Sequence, residues 1–305
     1  MDQQTADRAA YAGGAAFVDG RFVPVAEARV PILDWGFLRS DATYDVVHVW
    51  RGSFFRIEDH LDRFERGVAR LHMNLPYDRA EIRDILMGCV RLGGLRDAYA
   101  EIICTRGVPP PGSRDPRDCE NNFFAFAVPF VWIADPEKQE RGLHATISQV
   151  ERIRPESVDP TVKNYHWLDL QVGLYDAYDR GGETAILVDA HDNMVEGPGF
   201  NVFAVKGGKI STPSQGVLEG ITRKTAIELA AEHGIPLESR AVPADEVRSA
   251  DEVFVTSTAG GIIPVTKVDG ERVGDGEPGP VTLRLREAYW DLHRDPRFVL
   301  PIRYD

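Results

Sequence analysis

The chain has 305 residues, 43% of them hydrophobic, and 35 Lys and Arg stand against 48 Asp and Glu for a formal charge of −13. That length and apolar content suit a sizeable core spread over two domains, and the acidic balance excludes a nucleic-acid or anionic-membrane surface as the main business, favouring an enzyme of small molecules. Cys89, Cys104 and Cys119 are odd in number and lack metal-ligand spacing, and there is neither a basic-then-apolar leader nor an apolar run of about 20 residues, so a soluble protein of the reducing cytoplasm is expected, with no metal and no membrane.

In chain order, Ala15–Val23 and Phe54–Ile57 read as short strands, and Ile32–Val49 mixes strand-like and loop-like stretches. The spacings Leu61, Phe64, Val68, Leu71 and Ile82, Ile85, Leu86, Cys89, Val90 each mark one face of a helix. Tyr99–Thr105 and Phe123–Trp132 return to strand, separated by the Pro/Gly-rich loop from Gly107 to Pro116, of a length that often carries function. The fold class expected is therefore α+β or α/β in two domains: a small N-terminal domain over 1–132, a polar linker over 133–141 and a larger C-terminal domain over 142–305 carrying Lys163. In the second half His144–Val150 reads as strand and Trp167–Arg180 as helix. Hairpins turn at His191–Asn193 and Gly207–Gly208, a helix over Thr222–His233 is entered at Gly220 with Thr222 able to cap it, and Val253–Thr256 is a strand.

Several residues are chemically suggestive, each with an ordinary alternative. Lys163 lies among Val162, Tyr165, His166 and Trp167, a setting suited to an amine that must be neutral to form a Schiff base, but it also reads as a surface lysine before a helix. Glu196, before Gly-Pro-Gly, is either the acidic partner of a pyridinium nitrogen or a solvated turn carboxylate. Gly220-Ile221-Thr222 is either a phosphate-binding helix entry or plain capping, and Thr258, in a run of small residues after a strand, is a candidate phosphate donor. Arg63 is the guanidinium selected for that phosphate, with Arg56, Arg66 and Arg70 in competition. His48 and His166 read as structural histidines.

The ordered segments Arg56-Ile-Glu-Asp-His-Leu-Asp-Arg-Phe, Lys163-Asn-Tyr, Glu196-Gly-Pro-Gly-Phe-Asn, Leu218-Glu-Gly-Ile-Thr-Arg and Thr258-Ala-Gly-Gly-Ile-Ile-Pro resemble the class IV aminotransferases, the fold-type IV pyridoxal-phosphate enzymes, over about residues 15–295. Within that family, Gly36-Phe-Leu-Arg-Ser-Asp-Ala-Thr-Tyr-Asp-Val, Val49-Trp-Arg-Gly and Asp159-Pro-Thr-Val-Lys-Asn look like the (R)-selective amine transaminase branch. The resemblance implies pyridoxal 5′-phosphate as cofactor, Lys163 as the Schiff-base lysine, Glu196 beside the ring nitrogen, and Arg63, Ile221, Thr222 and Thr258 around the phosphate. It also implies a homodimer, with amine and 2-oxo acid substrates lined by Tyr44, Val46, Tyr99, Glu101, Trp167, Ser257 and Ala259. Arg39 and the Pro109–Arg114 loop depart from the branch, so Arg39 or Arg114 becomes the candidate for a substrate carboxylate. The expected activity is transfer from an (R)-amine or D-amino acid to pyruvate or a similar acceptor. The alternatives are a D-amino-acid:2-oxoacid aminotransferase, a branched-chain aminotransferase and a lyase like aminodeoxychorismate lyase.

Overall fold

The computed structural model describes residues 10–304. The chain divides into two compact units, the first taking the chain up to Val131 together with Val162–Tyr165 and the stretch from His293, the second taking Trp132–Thr161 and His166–Leu292.

The first unit contains β1 (Ala15–Val18), β2 (Arg21–Pro24), β3 (Ala42–Trp50), β4 (Ser53–Phe55), β5 (Ala98–Thr105) and β6 (Asn122–Pro129). With the C-terminal strand Val299–Pro301 they form one antiparallel sheet, in the order C-terminal strand, β4, β3, β5, β6, β1, β2. The Ile32–Val49 region resolves into a short helix α1 (Trp35–Arg39), capped by Asp34 and closed by Ser40 in the left-handed region, followed by β3. Helices α2 (Ile57–Arg70) and α3 (Arg79–Leu92) follow the expected periodicities. Their buried faces carry Leu61, Phe64 and Val68, and Ile82, Ile85, Leu86, Cys89 and Val90. Asp78 and Glu81 close a reciprocal capping box at the start of α3.

Alternation along the sheet gives it two different faces. Val47 and Val49 of β3, with Ala98, Ala100, Ile102 and Cys104 of β5, join the helical core. Tyr44, Val46 and His48 stand on the other face, opposite Ile103, Glu101 and Tyr99 in register.

The second unit contains α4 (Pro136–Arg141), β7 (Leu143–Glu151), α5 (Leu168–Asp179), β8 (Thr184–Val188), β9 (Glu196–Gly197), β10 (Phe200–Lys206), β11 (Lys209–Pro213), α6 (Ile221–Glu232), β12 (Leu237–Arg240), α7 (Ala244–Arg248), β13 (Glu252–Ser257), β14 (Gly261–Val268), β15 (Glu271–Arg272) and α8 (Pro280–Asp291). Its mixed sheet runs β12-β11-β10-β13-β14-β7-β8, with β9 beside β10 and β15 beside β14. Ile186, Val202, Val255, Ile263 and Val265 belong to one apolar core cluster of this unit, and Ala185 and Leu187, on the other face of β8, pack with Leu170 and Ala177 of α5.

Three expectations need correction. The stretch 133–141 is not an irregular linker: Asp135 caps α4 through the Lys138 N–H, and the Ile133 N–H donates to the Ala259 carbonyl at 2.8 Å, which ties the segment into the second unit. Lys163 does not lie in the second unit, as a C-terminal domain over 142–305 would have it. Its carbonyl accepts from the Tyr44 N–H at 3.0 Å and the Thr43 Oγ1 at 2.9 Å, so Val162–Tyr165 folds with the first unit. Thr222 does not cap α6, because Gly220 is the N-cap and no side chain bonds there. Among the described residues no helix is long and apolar enough to cross a membrane.

Candidate active site

In the first unit Lys163, Tyr44, Val46, Tyr99 and Glu101 come together on the sheet face opposite the helices. The two hydrogen bonds to its carbonyl, one from the Tyr44 N–H and one from the Thr43 hydroxyl, fix where Lys163 leaves the chain, and its Nζ stands 4.5 Å over the centre of the Tyr44 ring. Tyr165 stacks on the same Tyr44, ring centres 4.3 Å apart and planes 2° from parallel, and its hydroxyl donates to Glu101 Oε1 at 2.6 Å. Glu101 is buried with tyrosines as neighbours, and burial pushes its carboxyl up to about 7 against the Tyr165 hydrogen bond and the charge of Lys163.

An acid whose folded value lies above its unfolded one stabilises the fold at low pH. The contribution is complete below about 4.5 and is lost as pH rises through about 7. Glu101→Gln is therefore expected to remove a pH dependence of order 3 kcal/mol between those limits, measurable as a flatter plot of urea-unfolding free energy against pH.

Arg63, on the helical side of the same sheet, is buried and engaged by Asp45, with Nε to Oδ2 at 2.7 Å and a terminal nitrogen to Oδ1 at 2.8 Å. His60 Nδ1 meets Asp45 Oδ1 at 2.7 Å. Burial lowers the pKa of His60 despite Asp45, so this contact is a hydrogen bond from a neutral ring rather than an ion pair. For Asp45 burial acts upward, but the Arg63 charge and the His60 bond outweigh it and hold the carboxyl well below the usual carboxylate range. Arg63 is thus a cation fixed in place by a strand carboxylate. Asp45 was not singled out in the sequence, although a carboxylate inside the apolar run Tyr44–Val49 is a readable anomaly.

Arg39 and Arg114 are exposed and lie outside this buried cluster; the Arg39 guanidinium lies 3.4 Å over the Trp35 ring. His48 Nε2 shares a hydrogen bond of 2.7 Å with Nε2 of His293.

In the second unit Glu196, Ile221, Thr222, Trp167, Ser257, Thr258 and Ala259 are positioned by the ends of β9, β10 and β13 and by the start of α6. Glu196 is buried at the start of β9; its Oε1 accepts from Arg152 Nε at 3.0 Å and its Oε2 from the Leu218 N–H at 3.0 Å. Asn201 pairs in register with both Glu196 and Thr256, and its Nδ2 holds the Leu218 carbonyl at 2.9 Å. The segment entering α6 is thereby fixed beside Glu196. Thr258 and Ala259 occupy the half-buried turn after β13, where Ser257 Oγ donates to the Gly199 carbonyl and accepts from the Ala259 N–H. A Cβ at Gly199 would stand 3.6 Å from the Trp167 ring, which places Trp167 beside that turn.

Two observations fit a phosphorylated group at the start of α6. The first-turn N–H groups there meet no side-chain cap, and a Cβ at Gly220 would stand 2.1 Å from Asn201 Oδ1, so this entry tolerates no side chain. Thr256 Oγ1, on the strand paired with Asn201, is buried with no hydrogen-bond partner among the described residues. Gly220→Ala is expected to displace Asn201 and weaken binding of the phosphorylated cofactor by about tenfold or more, equivalent to about 1.4 kcal/mol, as read by titrating apoprotein with pyridoxal phosphate. The sequence assigns no role to Arg152, Asn201 or Thr256, although Asn201 closes the segment Glu196-Gly-Pro-Gly-Phe-Asn and Thr256 ends an expected strand; strand register and the contact of Arg152 with Glu196 assemble them.

The family model described as amino-transferase class IV matches residues 42–268. A Methanocaldococcus jannaschii protein provisionally named branched-chain-amino-acid aminotransferase is 33% identical over 279 residues, covering 90% of this chain and 95% of that protein. A Bacillus licheniformis D-alanine aminotransferase is 31% identical over 275 residues, covering 88% and 94%. The crystal structure of a branched-chain amino acid aminotransferase from Thermobaculum terrenum in its pyridoxal-phosphate form superposes with a TM-score of 0.86 at 28% identity, covering 96% of this chain and 99% of that one.

Proposed function

The chain belongs to the class IV aminotransferases, a family that binds pyridoxal 5′-phosphate, and we propose that it moves an amino group from an (R)-amine or D-amino acid to pyruvate or a related 2-oxo acid in two half-reactions. The observation that carries this reading is Lys163, with its backbone clamped to β3 and its Nζ on the sheet face that also presents Tyr44, Val46, Tyr99 and Glu101. When bound, the cofactor supplies an electron sink beside the donor's α-carbon. Lys163 holds the cofactor at rest and, once displaced, its Nζ takes the donor's α-proton. Glu196 keeps a carboxylate beside the ring nitrogen. Arg63 contributes a guanidinium to the phosphate, Ile221 and Thr222 the N–H groups of a helix start, and Thr258 a hydroxyl. Tyr99 and Trp167 offer aromatic faces to the donor, Tyr44, Val46, Glu101, Ser257 and Ala259 bound its space, and Arg39 or Arg114 meets the acceptor's carboxylate.

The similarity to D-alanine aminotransferases supports a donor of that stereochemical series, and the sequence segments around Arg39, Trp50 and Lys163 support an amine. A donor panel tests the reading: (R)-1-phenylethylamine with pyruvate, D-alanine with 2-oxoglutarate, and L-leucine with 2-oxoglutarate. Exclusive use of L-leucine overturns it. The exposed guanidinium of Arg39 favours a second reading, a D-amino-acid:2-oxoacid aminotransferase. In that case Arg39→Ala raises KM for D-alanine and leaves KM for (R)-1-phenylethylamine unchanged.

The chain is also proposed to work as a homodimer in the cytoplasm. Val30, Ile32, Leu33, Phe37 and Leu38 are each 53% or more exposed within one short stretch of the first unit, an apolar run that suits burial against a second copy. A monomer by light scattering at micromolar concentration would refute the homodimer.

A further inference from the structure

We infer that Arg152 is a positioning residue that acts through Glu196: it keeps the Glu196 carboxylate ionised and aimed, so that the shared proton sits on the cofactor's ring nitrogen rather than on the carboxyl. The inference rests on the assignment of Glu196 to that nitrogen. Arg152 stands at the end of β7, outside every motif that carries the family resemblance.

The geometry is that of a fork between two acids. Arg152 Nε bonds Glu196 Oε1 at 3.0 Å, and a terminal nitrogen bonds Asp169 Oδ2 at 2.6 Å, with the arginine side chain only 9% exposed. Asp169 also accepts from the Ile153 N–H at 2.7 Å, which fixes the backbone next to Arg152 to the first turn of α5. On the far side, the Leu218 N–H takes Glu196 Oε2. The carboxylate is therefore held at both oxygens, by a cation and by a backbone donor. Burial works against the charge of Arg152, and the Glu196 and Asp169 carboxylates outweigh it, so the arginine keeps its proton.

The chemical consequence concerns one proton and two bases. A buried carboxylate without a cation draws a proton to itself, since burial disfavours its charged form. Facing a pyridine nitrogen, such a carboxyl keeps the proton and donates a neutral hydrogen bond. A carboxylate already paired with Arg152 has lower proton affinity, so the proton resides on the ring nitrogen and the contact is an ion pair. Asp169 takes part of the arginine's charge, which leaves Glu196 anionic enough to hold that pyridinium.

The test uses protein reconstituted with pyridoxal phosphate labelled with ¹⁵N in the ring, in the wild type, Arg152→Met, Arg152→Gln, Arg152→Lys, Glu196→Gln and the Arg152→Met/Glu196→Gln double variant, with far-UV circular dichroism as the check of folding. In the wild type the ring nitrogen is expected at its protonated shift at pH 7.5. The two neutral variants are expected to move it toward the unprotonated position and to lower kcat by about 10- to 100-fold, the loss typical when a residue that orients a ligand-holding group is removed. Arg152→Lys is expected to restore most of the protonated signal, and Arg152→Met is expected to add no shift once Glu196 is Gln, because its effect passes through Glu196. An unprotonated nitrogen in the wild type overturns the inference without any variant. So does a neutral variant whose nitrogen titrates like the wild type, or a double variant in which the two effects add. Failure of the wild type to hold the labelled cofactor overturns the functional reading and this inference with it, and is seen as loss of the bound signal itself.

Discussion

With Lys163 replaced by alanine, transamination is expected to fall by at least about 10³-fold, the scale set by removing a nucleophile and a general base at once. The visible absorption of the lysine-bound cofactor is expected to vanish at the same time. The fold should survive, because the structural work of this residue is done by its carbonyl, which accepts from Tyr44 and Thr43 and is retained by alanine. The side chain's contact with the face of the Tyr44 ring is worth about 0.5–1 kcal/mol at a partly open site. An unchanged far-UV spectrum with no turnover is thus the expected pair of results. Turnover within tenfold of the wild type would remove Lys163 from the chemistry.

Asp45→Asn is expected to cost about 3–5 kcal/mol of stability, the range for breaking a buried ion pair while one charge stays behind. Asp45 is 1% exposed, and it takes two nitrogens of Arg63 and the ring of His60, so the amide removes the negative charge from a contact buried on both sides. The pH dependence has a definite sign. A carboxyl held below its ordinary range stabilises the fold above about pH 4, its unfolded value, and that contribution is lost as pH falls through the lower folded value. The lowered His60 acts in the same direction, since its folded state also resists protonation. Wild-type protein should therefore lose stability steeply in acid, and Asp45→Asn should start lower and lose less. Urea unfolding followed by circular dichroism at pH 7 and at about pH 2, below the unfolded carboxylate range, measures both; equal acid sensitivity in the two proteins would contradict this account.

Much of the fold was readable where a period repeated. The faces of α2 and α3 and the strands β5, β6 and β13 lie within a residue or a few of their expected positions because apolar spacing is a local property. The segment 133–141 was misread because polarity without a repeat resembles a linker, whereas Asp135-Pro136 is also a helix start. Helix α8 went unremarked; only Thr282, Leu285 and Tyr289 of it are buried, too sparse a stripe to announce itself. Within the candidate site the motif residues Lys163, Glu196 and Thr222 were legible as types at spacings. The parts played by Asp45, Arg152, Asn201 and Thr256 were not, since these are defined by cross-strand register and by side-chain partners distant in the chain, as between Asp45 and His60 or Arg152 and Glu196.

Under the proposed function, the alternation of β3 and β5 separates positions that bear on the donor from positions that bear on stability. Asp45, Val47, Val49, Ala100 and Ile102 answer to the helical core, whereas Tyr44, Val46, Tyr99 and Glu101 answer to the opposite face, so exchanges in the second set can explore new chemistry without disturbing the first. A single inserted or deleted residue in either strand has no such freedom. It would trade the two sets, turning the carboxylate of Asp45 toward the face of Lys163 and a tyrosine toward Arg63. Diversification here is confined to changes of residue identity at constant strand length, and libraries meant to widen the donor range belong at alternate positions of β3 and β5.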